Sequence, residues 1–257
     1  MTIQTERLTT ISSVKPFIFA ASLASCLFLA ACAQGPLSGR VAAGKDDTNS
    51  CQTVSSCRKA AEQGNAVAQN RLGFMYENIV RDDVQAIYWY HKAAEQGLAQ
   101  AQYNLGWMYE GHRDTATDGP EAMSQAARWY RKAADQGYAP AQNSLGVLYE
   151  DGDGVTRDDV QSVSWWRKAA EQGDARAQVN LGRHYDTDDD EACAKAVFWY
   201  HKAAEQGYAN AQYLLGTMYA LGHGVAQDST QAAFWYRKAA AQGDNNALGS
   251  LDDLQNQ

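Results

Sequence analysis

With four prolines and 21 glycines in 257 residues, the chain lacks the composition of collagen-like or proline-rich fibres. It lacks a basic excess: 22 Lys and Arg stand against 30 Asp and Glu, for a net charge of −8. That balance argues against nucleic acid, or any other polyanion, as the main partner. The signatures His-Glu-x-x-His, Gly-x-Ser-x-Gly and Cys-x-x-Cys are missing, so no metalloprotease, serine-hydrolase or dithiol chemistry is written in the chain. The apolar run at residues 17–31 has 15 residues, short of the roughly 20 that a spanning helix needs. What remains, 45% hydrophobic and 20% charged, is too apolar for a disordered protein.

The N-terminal run has a different use. Arg7 and Lys15 precede it, and it ends in the small residues of Leu29-Ala30-Ala31-Cys32. A basic flank, a short apolar core and small residues describe a secretory signal. The last four residues resemble the bacterial lipobox, which implies that residues 1–31 are removed and that Cys32 carries lipid. An ordinary cleaved signal ending near Ala31 or Ala33 is the alternative. Ala33, and not aspartate, follows the cysteine. By resemblance to other bacterial lipoproteins this implies an outer-membrane anchor, with the protein facing the periplasm and held by lipid. Residues 32–49 are small and polar and read as a linker. Within it Gly39, Gly44 and Lys45 have the spacing of a phosphate-binding loop, but Asp46 replaces the required Ser or Thr and no strand precedes.

The rest repeats. Gln-Gly recurs with its glycine at 64, 97, 137, 173, 207 and 243, at spacings of 33, 40, 36, 34 and 36. Leu-Gly follows nine residues later, at glycines 73, 106, 146, 182 and 216, and Trp-Tyr or Trp-Trp begins at 89, 129, 165, 199 and 235. A period near 36 predicts a solenoid. In each unit helix A carries Ala, Leu, Met and Tyr at helical spacing, and helix B carries Trp, Tyr and paired alanines. The Gln-Gly glycine suits a left-handed cap at the end of helix B. The Leu-Gly glycine, costly inside a helix, predicts a close helix–helix approach. Asp82-Asp83 and Asp158-Asp159 suit the start of helix B, where acids meet the positive end of the dipole.

Leu215-Gly216-Thr217-Met218-Tyr219, Gly222-His223-Gly224-Val225 and Trp235-Tyr236-Arg237-Lys238-Ala239-Ala240 together resemble the Sel-1-like repeat, a relative of the tetratricopeptide repeat. The resemblance covers about residues 57–249. It implies an all-α, right-handed α-solenoid of helix-turn-helix repeats that binds other proteins and has no catalytic role. Residues 50–64 align with helix B alone and form an N-terminal capping half-repeat. Residues 65–243 hold five repeats, and 244–257 a polar C-terminal cap.

Lipid-anchored proteins of this kind resemble immunity proteins that neutralise a type VI secretion toxin, often a phospholipase. That implies a toxin partner with a basic surface. An envelope adaptor for cell-wall or polysaccharide assembly, or a surface virulence factor that binds a host protein, are the alternatives. No cofactor is expected, and the chain is expected to be monomeric when free.

Three positions of helix A vary between repeats: three before, one after and four after the Leu-Gly glycine. Their spacing places them on one face. They predict a binding groove with aromatic anchors at Phe74, Tyr103, Trp107 and Tyr213, an acid ladder of Glu77, Glu110, Glu150 and Asp186, and Arg183 in the fourth unit. The in-register tryptophans 89, 129, 165, 199 and 235 read as core. His184 replaces a Met or Leu beside the acidic run 186–191, which lacks the glycine and ligand spacing of a calcium loop, and no metal is expected there. His91 and His201 share a slot with Arg131, Arg167 and Arg237 and read as a plain basic surface. Cys51 and Cys57 can bridge only if they do not both lie on one straight helix. Cys193 reads as a free thiol in the first turn of a helix B.

Overall fold

The computed structural model describes residues 51–111 and 120–255. The stretch read above as a secretory signal, Cys32, the stretch read as a linker, and residues 112–119 of the second repeat's loop lie outside the described residues. Among those described there are twelve α-helices and no strand. Helices α2 (Ala66–Met75), α4 (Ala99–Glu110), α6 (Ala139–Asp151), α8 (Ala175–Tyr185) and α10 (Ala209–Leu221) are the A helices. Each is followed by its B helix: α3 (Asp83–Glu95), α5 (Pro120–Asp135), α7 (Asp159–Glu171), α9 (Asp190–Glu205) and α11 (Ser229–Ala240). The half-unit α1 (Val54–Glu62) precedes them and α12 (Asn245–Gln255) follows. Helices pack mainly on their neighbours in sequence, the pattern of an all-α solenoid. None is long and apolar enough to cross a membrane.

Local chemistry sets the boundaries. The first aspartate of each Asp-Asp pair is the N-cap: Asp82 accepts from the Gln85 amide, and Asp158 from those of Val160 and Gln161. Its carboxylate satisfies N–H groups that have no helical partner, at the end of the helix where negative charge is favoured. The Gln-Gly glycines close the B helices at φ between +86° and +95°, where a Cβ would be strained. Helix α2 ends differently. Its repeat is the short one, and the chain winds through a π-helical turn, Tyr76–Val80, into Arg81 at φ 64°.

The Leu-Gly glycines lie where the A helix meets the ring of the second aromatic of the B helix. A Cβ on Gly73 would stand 2.7 Å from Tyr90, on Gly106 2.7 Å from Tyr130, and on Gly146 2.5 Å from Trp166. The predicted close approach is therefore a helix-on-ring contact. Around it the Leu of the A helices and the paired alanines of the B helices are enclosed, except Ala240 of α11, which is half-buried. Trp89, Trp129, Trp165 and Trp235 are buried, whereas Trp199 is only half-buried.

A polar ladder joins the units. The Ala-x-Ala-Gln glutamine of each A helix donates to the end of the preceding B helix: Gln102 to the Ala94 carbonyl, Gln142 to Ala134, Gln178 to Ala170, each at 3.1 Å. The glutamine of the following Gln-Gly then donates to it, Gln136 to Gln102 and Gln172 to Gln142 at 2.7 Å. Second bridges run between A helices, from Asn104 to Asn70 and from Asn180 to Asn143, both at 3.0 Å. The basic slot of helix B is no plain surface. Arg58 donates to Tyr76 at the start of the π-helical turn, Arg131 and Arg167 donate to Tyr149 and Tyr185 of the next A helix, and His91 and His201 meet Trp129 and Trp235 edge to face.

Cys51 and Cys57 are disulfide-bonded, with Cα atoms 4.9 Å apart. The bond is sterically open because Cys51 precedes the helix, which Thr53 caps in a reciprocal box with Ser56. Cys57 stands in the register of the aromatic that faces Gly73 in the next unit and is fully buried.

Candidate partner-binding surface

The three variable rows of helix A do not share one environment. The row three before the glycine is packed. Asn70, Asn143 and Val179 are buried, and two of them belong to the asparagine bridges. Tyr103 lies between Tyr130 and Tyr138, with ring centroids 5.5 Å from each, and Tyr213 lies 5.8 Å from Tyr236. Both tyrosines are half-buried packing residues rather than projecting anchors. They face the aromatic of the helix-on-ring contact, which a short A–B distance brings within reach.

The row four after the glycine holds the acid ladder, and most of it is engaged inside the repeat. Tyr90 donates its phenol to Glu77 at 2.7 Å, Tyr130 to Glu110, and Tyr200 to Asp186 at 3.4 Å. Glu77 is only 8% exposed, so it is not a surface charge. The fifth repeat has Ala220 at this position, and Tyr236 turns to Thr217 instead, at 3.2 Å. The third repeat breaks the pattern from the other side. Trp166 replaces the tyrosine, has no phenol to offer, and buries an indole N–H with no hydrogen-bond partner. Glu150 is left exposed. Partial burial and then the neighbouring Asp151 push its carboxyl upward from the usual range. The phenols shift in the same direction: burial, then the charge of Glu110, drives Tyr130 well above its ordinary value.

The row one after the glycine is the accessible one. Phe74 is 40% exposed and Trp107 39%, on adjacent A helices. Val147 and Thr217 are half-buried, and Arg183 is exposed. Of the nine residues expected to bind a partner, Phe74, Trp107, Glu150, Arg183 and Asp186 lie open, Tyr103, Glu110 and Tyr213 are half-buried, and Glu77 is enclosed. The face therefore offers two aromatic anchors at one end and charges of both signs toward the other.

No group of three or more His, Cys, Asp or Glu capable of holding a metal occurs among the described residues. The acidic run after His184 has structural work. Asp189 caps α9 through the Ala192 amide, and the Cys193 thiol donates to the Thr187 carbonyl at 2.9 Å. That contact, which pins a short interhelical link, was not legible in the spacing of the cysteines.

The sequence model of the Sel1 repeat family matches residues 66–98, 99–138, 139–174, 175–208 and 209–244. Among solved structures, a protective antigen present in uropathogenic Escherichia coli strains is similar at 39% identity and a TM-score of 0.72 over 78% of this chain and 43% of its own. A Sel1 repeat protein from Oxalobacter formigenes is similar at 35% and 0.69, over 78% of this chain and 58% of its own. The chain thus spans less than two thirds of either. An immunity protein from Pseudomonas aeruginosa shares the fold at 23% identity and a TM-score of 0.54, over 75% of this chain and 74% of its own. A comparison with curated proteins finds no match.

Proposed function

The chain belongs to the Sel1 repeat family, and from that premise we propose that it is a non-catalytic protein-binding scaffold of the bacterial envelope, anchored by lipid on Cys32. Its partner is a secreted antibacterial toxin delivered by a type VI system, and binding neutralises it. The observation that carries the binding role is the pair Phe74 and Trp107. Two large aromatics at one repeat position stand exposed on the A helices of adjacent repeats. Exposed aromatics held rigidly by a scaffold are the side chains that dominate protein interfaces. The immunity role is supported by the fold shared with the Pseudomonas immunity protein and by the lipobox-like sequence, which would hold the protein where a toxin arrives.

The test is a competition between sister cells. Deletion of the gene should sensitise the strain to its own type VI-active kin, and the intact gene should restore protection, but not with Phe74→Ala and Trp107→Ala. An undiminished deletion strain removes the immunity role. The likeness to a protective antigen favours a second reading, in which the face binds a host protein from the cell surface. Protease shaving of intact cells decides between them, since a chain facing the periplasm stays intact.

A further inference from the structure

In the third and fifth repeats the link from helix A to helix B turns back over the preceding B helix. Gly154 and Gly224 make that approach, at φ 67° and 64°. A Cβ on either would lie 2.3 Å from backbone, at Met123 of α5 and at Cys193 of α9. The valine that follows each glycine, Val155 or Val225, packs against the hydrophobic core beside that helix. The sequence matches the covered positions register for register. Met123, Ser124 and Ala127 lie six, five and two residues before Trp129, as Cys193, Ala194 and Val197 lie before Trp199.

The same positions on α7, counted back from Trp165, are Asp159, Val160 and Val163. No such turn lies over them, although Val163 still packs on the core beneath. The fourth repeat, which should supply the turn, joins α8 to α9 by residues 186–189 alone, with no glycine and no valine. A cleft of about 530 Å³ is left, lined by Asp159, Val160, Val163, Arg167, Lys168 and His184 among others. Val160 is 79% exposed and its α9 counterpart Ala194 is exposed too; the contrast lies one residue earlier, where Cys193 is buried beneath the turn and Asp159 is open. His184 occupies a position that is a buried Met or Leu in the other repeats, and here it faces the opening.

We infer that this cleft receives a turn from the protein partner that supplies what the fourth repeat lacks: a glycine over the α7 backbone followed by a valine-sized side chain on Val160 and Val163. The occupant is identified by the chain itself, which fills the equivalent slot in this way twice. Charge refines it. Arg157 neutralises Asp159 at 3.1 Å, so the wall presents Arg167 and Lys168 against Glu171 and suits an acidic residue beside the glycine, as in the chain's own 151–155 turn. The inference rests on the protein-binding role proposed above and names a second contact for it, apart from Phe74 and Trp107.

The probe is a cyclic peptide with the sequence of residues 151–157, titrated into the isotope-labelled full-length chain and followed by NMR. Saturable shifts are expected at Val160, Val163 and His184. Affinity should fall about tenfold or more in Val160→Asp, in the peptide with its valine changed to Asp, and in a chain whose residues 186–189 are exchanged for residues 150–158, which fills the cleft internally. Absence of saturable shifts at those residues, or equal binding by the filled chain, overturns the inference. Loss of peptide binding in the filled chain with toxin protection intact would confirm the cleft's chemistry and overturn its use by the toxin. Failure of the peptide while protection still depends on Phe74 and Trp107 leaves the protein-binding role standing and removes only the cleft.

Discussion

Gln102 joins two helix ends at once: it donates to the Ala94 carbonyl at 3.1 Å and accepts from Gln136 at 2.7 Å. The same relation recurs from Gln69 to Gln212 and runs a hydrogen-bonded seam through every repeat. Solenoid units touch only their neighbours, so such a seam sets how each unit is stacked on the last. Replacing Gln102 with Leu keeps the volume but takes from the Ala94 carbonyl one of its donors, leaving it the Gly97 amide at 3.0 Å. A loss of about 0.5–1.5 kcal/mol is expected, the worth of one hydrogen bond, read as a lower urea midpoint. Gln136→Ala, which removes an exposed donor, should cost less than about 1 kcal/mol.

The repeat marks were visible in the sequence as punctuation, and the structure supplies their function. Gln-Gly and Leu-Gly predicted the caps and the close approach because glycine has few reasons to recur at fixed register. The glutamine of Gln-Gly and that of Ala-x-Ala-Gln were just as regular, but a glutamine fits a solvated surface as well as a ladder, and only a partner 34 residues away distinguishes the two. The acid ladder divides into enclosed and exposed members for a related reason. Glu77 and Glu150 have the same spacing from their glycine, yet one meets Tyr90 and the other faces a tryptophan, so their exposure is decided on another helix.

The Leu-Gly dipeptide occurs once more at Leu248-Gly249, and there its glycine should behave oppositely. A Cβ on Gly106 would collide with Tyr130, whereas one on Gly249 meets nothing within 4 Å. Gly106→Ala should destabilise the fold by about 1–3 kcal/mol through overpacking. Gly249→Ala, in the exposed α12, should stabilise that helix by up to about 1 kcal/mol. Thermal melts of the two variants should move in opposite directions.

The disulfide fastens the first residues of the described fold to α1. Closing so short a loop restricts the unfolded chain by about 2 kcal/mol. The double variant Cys51→Ser, Cys57→Ser, or the wild-type chain under reductant, should therefore melt earlier, with the loss confined to α1 and α2 in hydrogen exchange. Uniform loss across all repeats would show that the cap governs the whole array.

Tyr130 gives the array a weakness to alkali. Its phenol donates to Glu110, and burial followed by that carboxylate's charge raises its folded-state pKa far above the ordinary 10.0. A group whose pKa is raised on folding contributes stability that is complete below its unfolded value and erodes above it. The wild type should hold its stability up to about pH 10 and lose it more steeply beyond than Tyr130→Phe. At neutral pH the Phe variant should be the weaker by about 1.5–3 kcal/mol, the worth of a hydrogen bond to a charged group. The difference should shrink as pH rises past 10, in urea titrations run at each pH.

Phe74 and Trp107 are the residues on which the binding role stands, and they can be changed without breaking the fold. Each is exposed on the row one after the glycine, outside the contacts of Gly73 with Tyr90 and Gly106 with Tyr130. Charge reversal at Glu110 would be a poor probe, because it strips Tyr130 of its acceptor and confuses binding with stability. Trp107 is 39% exposed, so Trp107→Ala also gives up part of the ring's own packing, and a loss of about 1–2 kcal/mol, roughly 2–8 °C in melting temperature, is expected. If the partner buries this ring, affinity should fall by about 2 kcal/mol or more, roughly thirtyfold. Phe74→Ala should add to that loss, since the two side chains stand on adjacent repeats of one surface. Calorimetry with the purified partner decides the matter: a change below about 1 kcal/mol for the double variant would move the interface off this row.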